Sequence, residues 1–216
     1  MKKLIIFDLD GTLLNTIADL AQSTNHALQA LGYPTHPESA YNFMVGNGIN
    51  KLFERALPEG EKSEETSCAS ARSLCLIMTC TMLIKAALTP ASPNYWNSCR
   101  RKDDIGSGFQ QISIGYRETD FTLFPQHTFY RRLRTTGRGQ REARPTVVHD
   151  ILDITRISRE DVLYVGDSGV DMQTAANAGV TACGVTWGFR PRTELEEFHP
   201  AHIVDNATEI AVIAAL

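Results

Sequence analysis

LIIFDLDGTLL, from Leu4 to Leu14, is an apolar run that ends in two closely spaced acids and a glycine turn. Leu4, Ile5, Ile6 and Phe7 are consecutive apolar residues, the pattern of a short strand buried on both faces of a parallel sheet. The strand runs into Asp8, Leu9 and Asp10, followed by Gly11 and Thr12. Carboxylates two residues apart share a face while the chain stays extended. Gly11 lets the backbone turn just beyond them. Two acids therefore stand at the carboxyl end of a buried strand, where open α/β sheets place their ligands. Like charges so close repel, and a hard cation such as Mg²⁺ relieves that repulsion.

DxDGTL after an apolar strand resembles the first motif of the haloacid dehalogenase-like (HAD) phosphohydrolases. The resemblance implies that Asp8 is a nucleophile that becomes an aspartyl-phosphate. It implies that Asp10 is the general acid/base, with its backbone carbonyl helping to hold Mg²⁺. Gly11 and Thr12 would lie against the substrate phosphate. The residue types suit this chemistry. A carboxylate attacks phosphorus at neutral pH without first losing a proton, and a second carboxyl can protonate the leaving oxygen.

The second informative region is LYVGDSGVDMQTAANAGV, Leu163 to Val180. Val162 to Val165 reads as another buried strand, ending on Gly166, Asp167 and Ser168. Met172 to Ala178 reads as a helix closed by Gly179, and Val180 to Val185 as the next strand. This strand–helix–strand rhythm predicts a parallel sheet. The segment resembles the fourth HAD motif. That resemblance implies Asp167 as a Mg²⁺ ligand, with Asp171 supporting the metal's water shell or a site lysine. TWGFRP, Thr186 to Pro191, follows as a loop, and HIVDNATEI holds a last strand and helix. His149, in the helix-like run PTVVHDILD, reads as packing or a solvated face rather than catalysis.

Between these regions, Asn15 to Leu31 carries an apolar stripe at helical spacing, stopped by Gly32. A second helix is expected near Glu38. Gly46, Asn47 and Gly48 make a tight turn before a helix from Ile49 to Leu57, and such a turn can hold an anion. Phosphoglycolate phosphatase-type HAD enzymes have a small helical cap at this point, with a loop of this kind facing the substrate. The expected fold is thus α/β, a doubly wound parallel HAD core with an inserted small helical cap. Residues 1–14 and 83–216 are assigned to the core and 15–82 to the cap.

From about residue 67 to 144 the character changes. Four of the five cysteines lie there, with CLIMTCTMLIK and the arginine-rich YRRLRTTGRGQREAR. The family needs two further pieces in this interval: an apolar strand ending in Ser or Thr, and a lysine usually before Pro. Neither is written. Both emerge if the gene is read out of frame here. With wobble bases free, a one-base shift turns Ile105–Gln111 into LAVASNK and Thr128–Arg144 into HFTAVFGQREGVNVKPD. On that reading Phe109 stands where a phosphate-binding Ser belongs, Gln110 where Asn belongs, and Glu142 where the catalytic site lysine belongs. A divergent insert is the alternative, and it would leave the enzyme impaired.

Bulk properties narrow the function. At 216 residues the chain can bury a substantial core. A net charge of −4 and a pI near 5.9 argue against a general nucleic-acid surface. The apolar start is interrupted by Asp8 and Asp10, and no run approaches the roughly 20 residues of a membrane helix. An odd cysteine count without a CxxC pair fits a reducing cytoplasm. The expected activity is Mg²⁺-dependent hydrolysis of a small phosphorylated metabolite by a monomer or small homo-oligomer, with no nucleic-acid or membrane partner. The alternatives are a phosphosugar mutase of the same fold and, outside enzymes, a phospho-accepting receiver-like module. The latter needs neither Asp10 nor a cap.

Overall fold

The computed structural model describes residues 1–46, 48–62, 87–88, 106–109 and 146–215. Its centre is a five-stranded sheet in which every neighbouring pair is parallel. β1 (Leu4–Phe7) lies between β4 (Gly106–Phe109) and β5 (Val162–Gly166), and β6 (Thr181–Val185) and β7 (His202–Val204) continue beyond β5. Parallel neighbours need crossovers, and helices supply them: α4 (Thr146–Thr155), α5 (Gly169–Ala178), α6 (Arg192–Glu197) and α7 (Ala207–Ala215).

Alternation along the strands feeds two cores. Ile5, Phe7, Leu163 and Val165 face one side and pack with Ala207, Ile210 and Ala214 of α7. Leu4, Ile6, Val162 and Tyr164 face the other and pack with Val148, Ile151 and Leu152 of α4 and Ala175 and Ala178 of α5. All four residues of β1 are 0–1% exposed, so the strand is covered on both faces, as its unbroken apolar run predicts. Gly179 ends α5 in the left-handed conformation at φ 69°, which a side chain would strain. The core is therefore the doubly wound α/β sheet expected from the sequence.

A helical layer follows β1. α1 (Ile17–Ala30), α2 (Tyr41–Met44) and α3 (Ile49–Ala56) bury Ile17, Ala21, Tyr41 and Leu52 together. Asn25 ties the layer internally: its amide donates to the His36 carbonyl at 2.8 Å and its carbonyl accepts the Tyr41 hydroxyl at 2.7 Å. α1 starts two residues later than its apolar stripe predicts. Leu14–Asn15 (β2) pairs instead, antiparallel, with Ala87–Leu88 (β3), and a residue held in a ladder cannot also begin a helix. Near Glu38 the chain makes a single 3₁₀ turn, Glu38–Ala40, before the short α2. Among the described residues no helix is long and apolar enough to cross a membrane.

Candidate active site

β1 and β5 are paired in register, Phe7 opposite Val165, and the Asp8 N–H donates to the Val165 carbonyl at 2.8 Å. Both strands thus deliver their acids at one end of the sheet. Asp8, Asp167 and Asp171 each offer a carboxylate oxygen, and these oxygens lie within 4.8 Å of one another. Asp10, Asp167 and Asp171 are 6%, 3% and 7% exposed, whereas Asp8 is only partly buried. Of the four acids, Asp8 is the most exposed.

Each acid is held by its surroundings. Asp167 Oδ2 accepts the Phe189 N–H at 2.7 Å, and Oδ1 accepts the Thr12 hydroxyl at 3.4 Å. Asp171 Oδ2 accepts both the N–H and the hydroxyl of Ser168, at 3.0 and 2.6 Å, which ties this carboxylate to the start of α5. Asp10 Oδ1 accepts the Thr16 hydroxyl at 2.9 Å. The turn after Asp10 is tight: the Gly11 N–H donates to the Leu14 carbonyl at 2.7 Å. Gly11 has φ +88°, and a Cβ there would stand 2.4 Å from Asp167 Oδ2. A Cβ on Gly188 would stand 2.2 Å from the Asp167 Cβ. Glycine is required at both positions because the backbone passes against a site carboxylate.

Packing acids together out of water disfavours their charged forms. Burial, then Asp171, Asp167 and Asp10, push Asp8 well above the usual carboxylate range. Burial and then Asp171 raise Asp167 to about 8. Burial raises Asp171 to about 6, against the pull of its Ser168 hydrogen bonds. A cluster of carboxylates that resists ionising on its own fits a hard divalent cation, which prefers oxygen donors and supplies the missing charge.

Asp8, Asp10, Gly11, Thr12, Asp167 and Asp171 lie together at this end of the sheet. β4 ends at Phe109, opposite Phe7, so position 109 lies on the strand beside Asp8. Gly46 and Gly48, at φ +120° and +87°, flank a turn before α3. Asn47, Gln110 and Glu142 lie outside the described residues. Sequence reasoning missed Thr16, Gly188 and Phe189. TWGFRP was legible as a loop, but nothing local says that its backbone returns to Asp167. Trp187 anchors that return by donating its indole N–H to the Thr12 carbonyl at 3.0 Å.

Comparison with known proteins agrees with this geometry. A family model described as haloacid dehalogenase-like hydrolase matches residues 5–80, and one described as HAD-hydrolase-like matches 140–210. Curated relatives include phosphoglycolate phosphatases of Vibrio parahaemolyticus, 27% identical over 99% of this chain and 96% of the relative, and of Vibrio cholerae, 29% identical over 99% and 98%. Among solved structures, an inferred phosphoglycolate phosphatase from Lactobacillus delbrueckii subsp. bulgaricus superposes with a TM-score of 0.86 at 22% identity, covering 99% of both chains. One model spans the strand that ends in Asp8 and Asp10, the other spans the Asp167–Asp171 turn, and the two converge on a single acidic site: the chain belongs to the haloacid dehalogenase-like hydrolases.

Proposed function

We propose that the protein is a phosphatase of small phosphomonoesters, similar to phosphoglycolate phosphatase, working through an aspartyl-phosphate on Asp8. The observation that carries this reading is the meeting of Asp8, Asp167 and Asp171 at adjacent strand ends, with oxygens within 4.8 Å. The activity in the names of the Vibrio relatives supports the substrate class.

In the proposed reaction the Asp8 carboxylate attacks phosphorus in line. The bond to the leaving oxygen breaks as Asp10 gives that oxygen its proton. Asp10, now ionised, takes a proton from water, which attacks phosphorus and frees Asp8 and inorganic phosphate. The Thr16 hydroxyl orients Asp10 through Oδ1. Asp8, the Asp10 carbonyl and Asp167 would hold Mg²⁺, with Asp171 supporting them. Bound there, the ion favours ionised Asp8 and neutralises charge on the transferring phosphoryl group, the main lever in such transfers.

We assign residues 1–14 and 83–216 to the core and 15–82 to a cap over the site. The turn at Gly46, Asn47 and Gly48 would face the substrate. Positions 109 and 110 would bind the phosphoryl oxygens and position 142 would carry the balancing lysine. As written, those positions hold Phe109, Gln110 and Glu142. We attribute that mismatch to an out-of-frame reading of about residues 67–144. The register of β4 beside β1 supports the strand assignment.

A panel of phosphate esters, 2-phosphoglycolate included, tests the function by phosphate release with Mg²⁺ and with excess chelator. Sustained, Mg²⁺-dependent release is expected. Transfer between sugar positions without release would indicate the mutase, and a single unreleased phosphorylation the receiver-like module.

A further inference from the structure

The Thr186–Pro191 loop and α6 are not used by the proposed chemistry, yet they bridge the acid cluster and the helical layer. Arg190 is 11% exposed in its side chain and reaches across to the end of α2. Its Nη2 donates to the Val45 carbonyl at 2.9 Å and to the Phe43 carbonyl at 3.4 Å. Its guanidinium also lies 5.6 Å from the centre of the Phe43 ring. The Val45 carbonyl immediately precedes Gly46, which leads into α3. On its other side Arg190 Nε pairs with Glu194 Oε2 at 3.7 Å. Glu194 Oε1 in turn accepts the N–H of Gly169 at 3.0 Å, the first residue of the helix that carries Asp171. The same loop presents the Phe189 N–H to Asp167 and its ring to the cluster of Ile17, Tyr41 and Leu52.

We infer that Arg190 and Glu194 form a strut that ties the Val45 end of α2 to the start of α5, making Arg190 a positioning residue for substrate selection. Helix α2 has only four residues, so its terminal carbonyls are held from outside: Arg55 of α3 donates to the Met44 carbonyl at 2.9 Å, and Arg190 takes the Val45 carbonyl. A planar guanidinium can span two carbonyls and a carboxylate at once, which a lysine cannot. Both ends of the strut are glycine-flanked: Gly46 has φ +120°, and a Cβ on Gly169 would meet the Phe198 ring at 2.3 Å. The strut therefore ends on backbone rather than on mobile side chains. This inference rests on the phosphate-ester reading, because the turn is taken to face the substrate.

Two readouts test it. Hydrogen exchange of the backbone amides of Val45 to Gly48, compared in wild type and Arg190→Met, requires no activity. The strut predicts exchange at least about tenfold faster in the variant, with β5 amides unchanged; equal exchange at the turn overturns it. Steady-state hydrolysis of 2-phosphoglycolate is the second. Arg190→Met should raise KM about tenfold while kcat changes less than about twofold, and Arg190→Lys should fall between. Glu194→Gln keeps an acceptor for Gly169 but loses the ion pair, so the double variant should resemble Arg190→Met alone. Additive effects, or equal losses in kcat with no change in KM, overturn the strut. If wild type turns over no ester, the functional reading fails while hydrogen exchange still judges the strut.

Discussion

Gly188→Ala isolates the importance of backbone space beside Asp167. The Cβ it adds would stand 2.2 Å from the Asp167 Cβ, 2.3 Å from Oδ2 and 2.5 Å from Cγ. Ordinary contact begins at 3.4 Å, so the two must separate by about 1.2 Å. Gly188 is not in the left-handed region, so alanine brings no dihedral strain there and only the collision remains. Asp167 can yield only by giving up the Phe189 N–H at 2.7 Å or by moving away from Asp8. A displacement of about 1 Å in a catalytic array costs roughly 100-fold in rate, or about 2.7 kcal/mol of transition-state stabilisation. The assay is kcat/KM for Mg²⁺-dependent phosphate release, with thermal unfolding measured alongside. Gly60→Ala is the control, because nothing lies within 4 Å of a Cβ at that position. A Gly188→Ala enzyme within roughly threefold of wild type would refute the view that this glycine holds Asp167 in place.

Other consequences follow from the same acids. Asp167 is raised to about 8 in the folded chain from an ordinary 3.8, so the folded state binds the extra proton and stability falls as pH rises between those values. Asp171, raised to about 6, adds to the fall over the lower part of that range. Unfolding without metal should therefore occur at lower temperature at pH 8 than at pH 5, and Mg²⁺ should raise the midpoint more at pH 8. A midpoint rising with pH in excess chelator would contradict this. Asp171→Ala removes the acceptor of the Ser168 N–H and hydroxyl, and should cost about 1–2 kcal/mol in denaturant unfolding along with activity. Peptide mapping of protein made from the natural gene should fail to find SLCLIMTCTMLIK; finding it would end the out-of-frame account of residues 67–144.

What the sequence made legible was local. β1 is four apolar residues with no alternative partner-free solution, so its burial and the placement of Asp8 could be read directly. Gly179 marked the close of the next helix, but its start was not read: the Ser168–Asp171 cap begins it at Gly169, three residues before the expected Met172. What stayed hidden depends on distant chain. Leu14–Asn15 pairs with residues more than seventy positions on, so α1 starts later than its stripe predicts. The return of Gly188 and Phe189 to Asp167 spans more than twenty residues of strand and helix, and no periodicity encodes it. Arg190 looks like any surface arginine until α2 is set beside it.

The most direct test of the account is turnover by Asp8→Asn. The amide keeps the shape of the side chain but is a poor nucleophile and a poor metal ligand. Multi-turnover phosphate release from the best ester found for wild type, at saturating Mg²⁺, should be abolished in the variant, while its thermal unfolding remains cooperative. Phosphate release by Asp8→Asn at a rate comparable to wild type would contradict the aspartyl-phosphate mechanism.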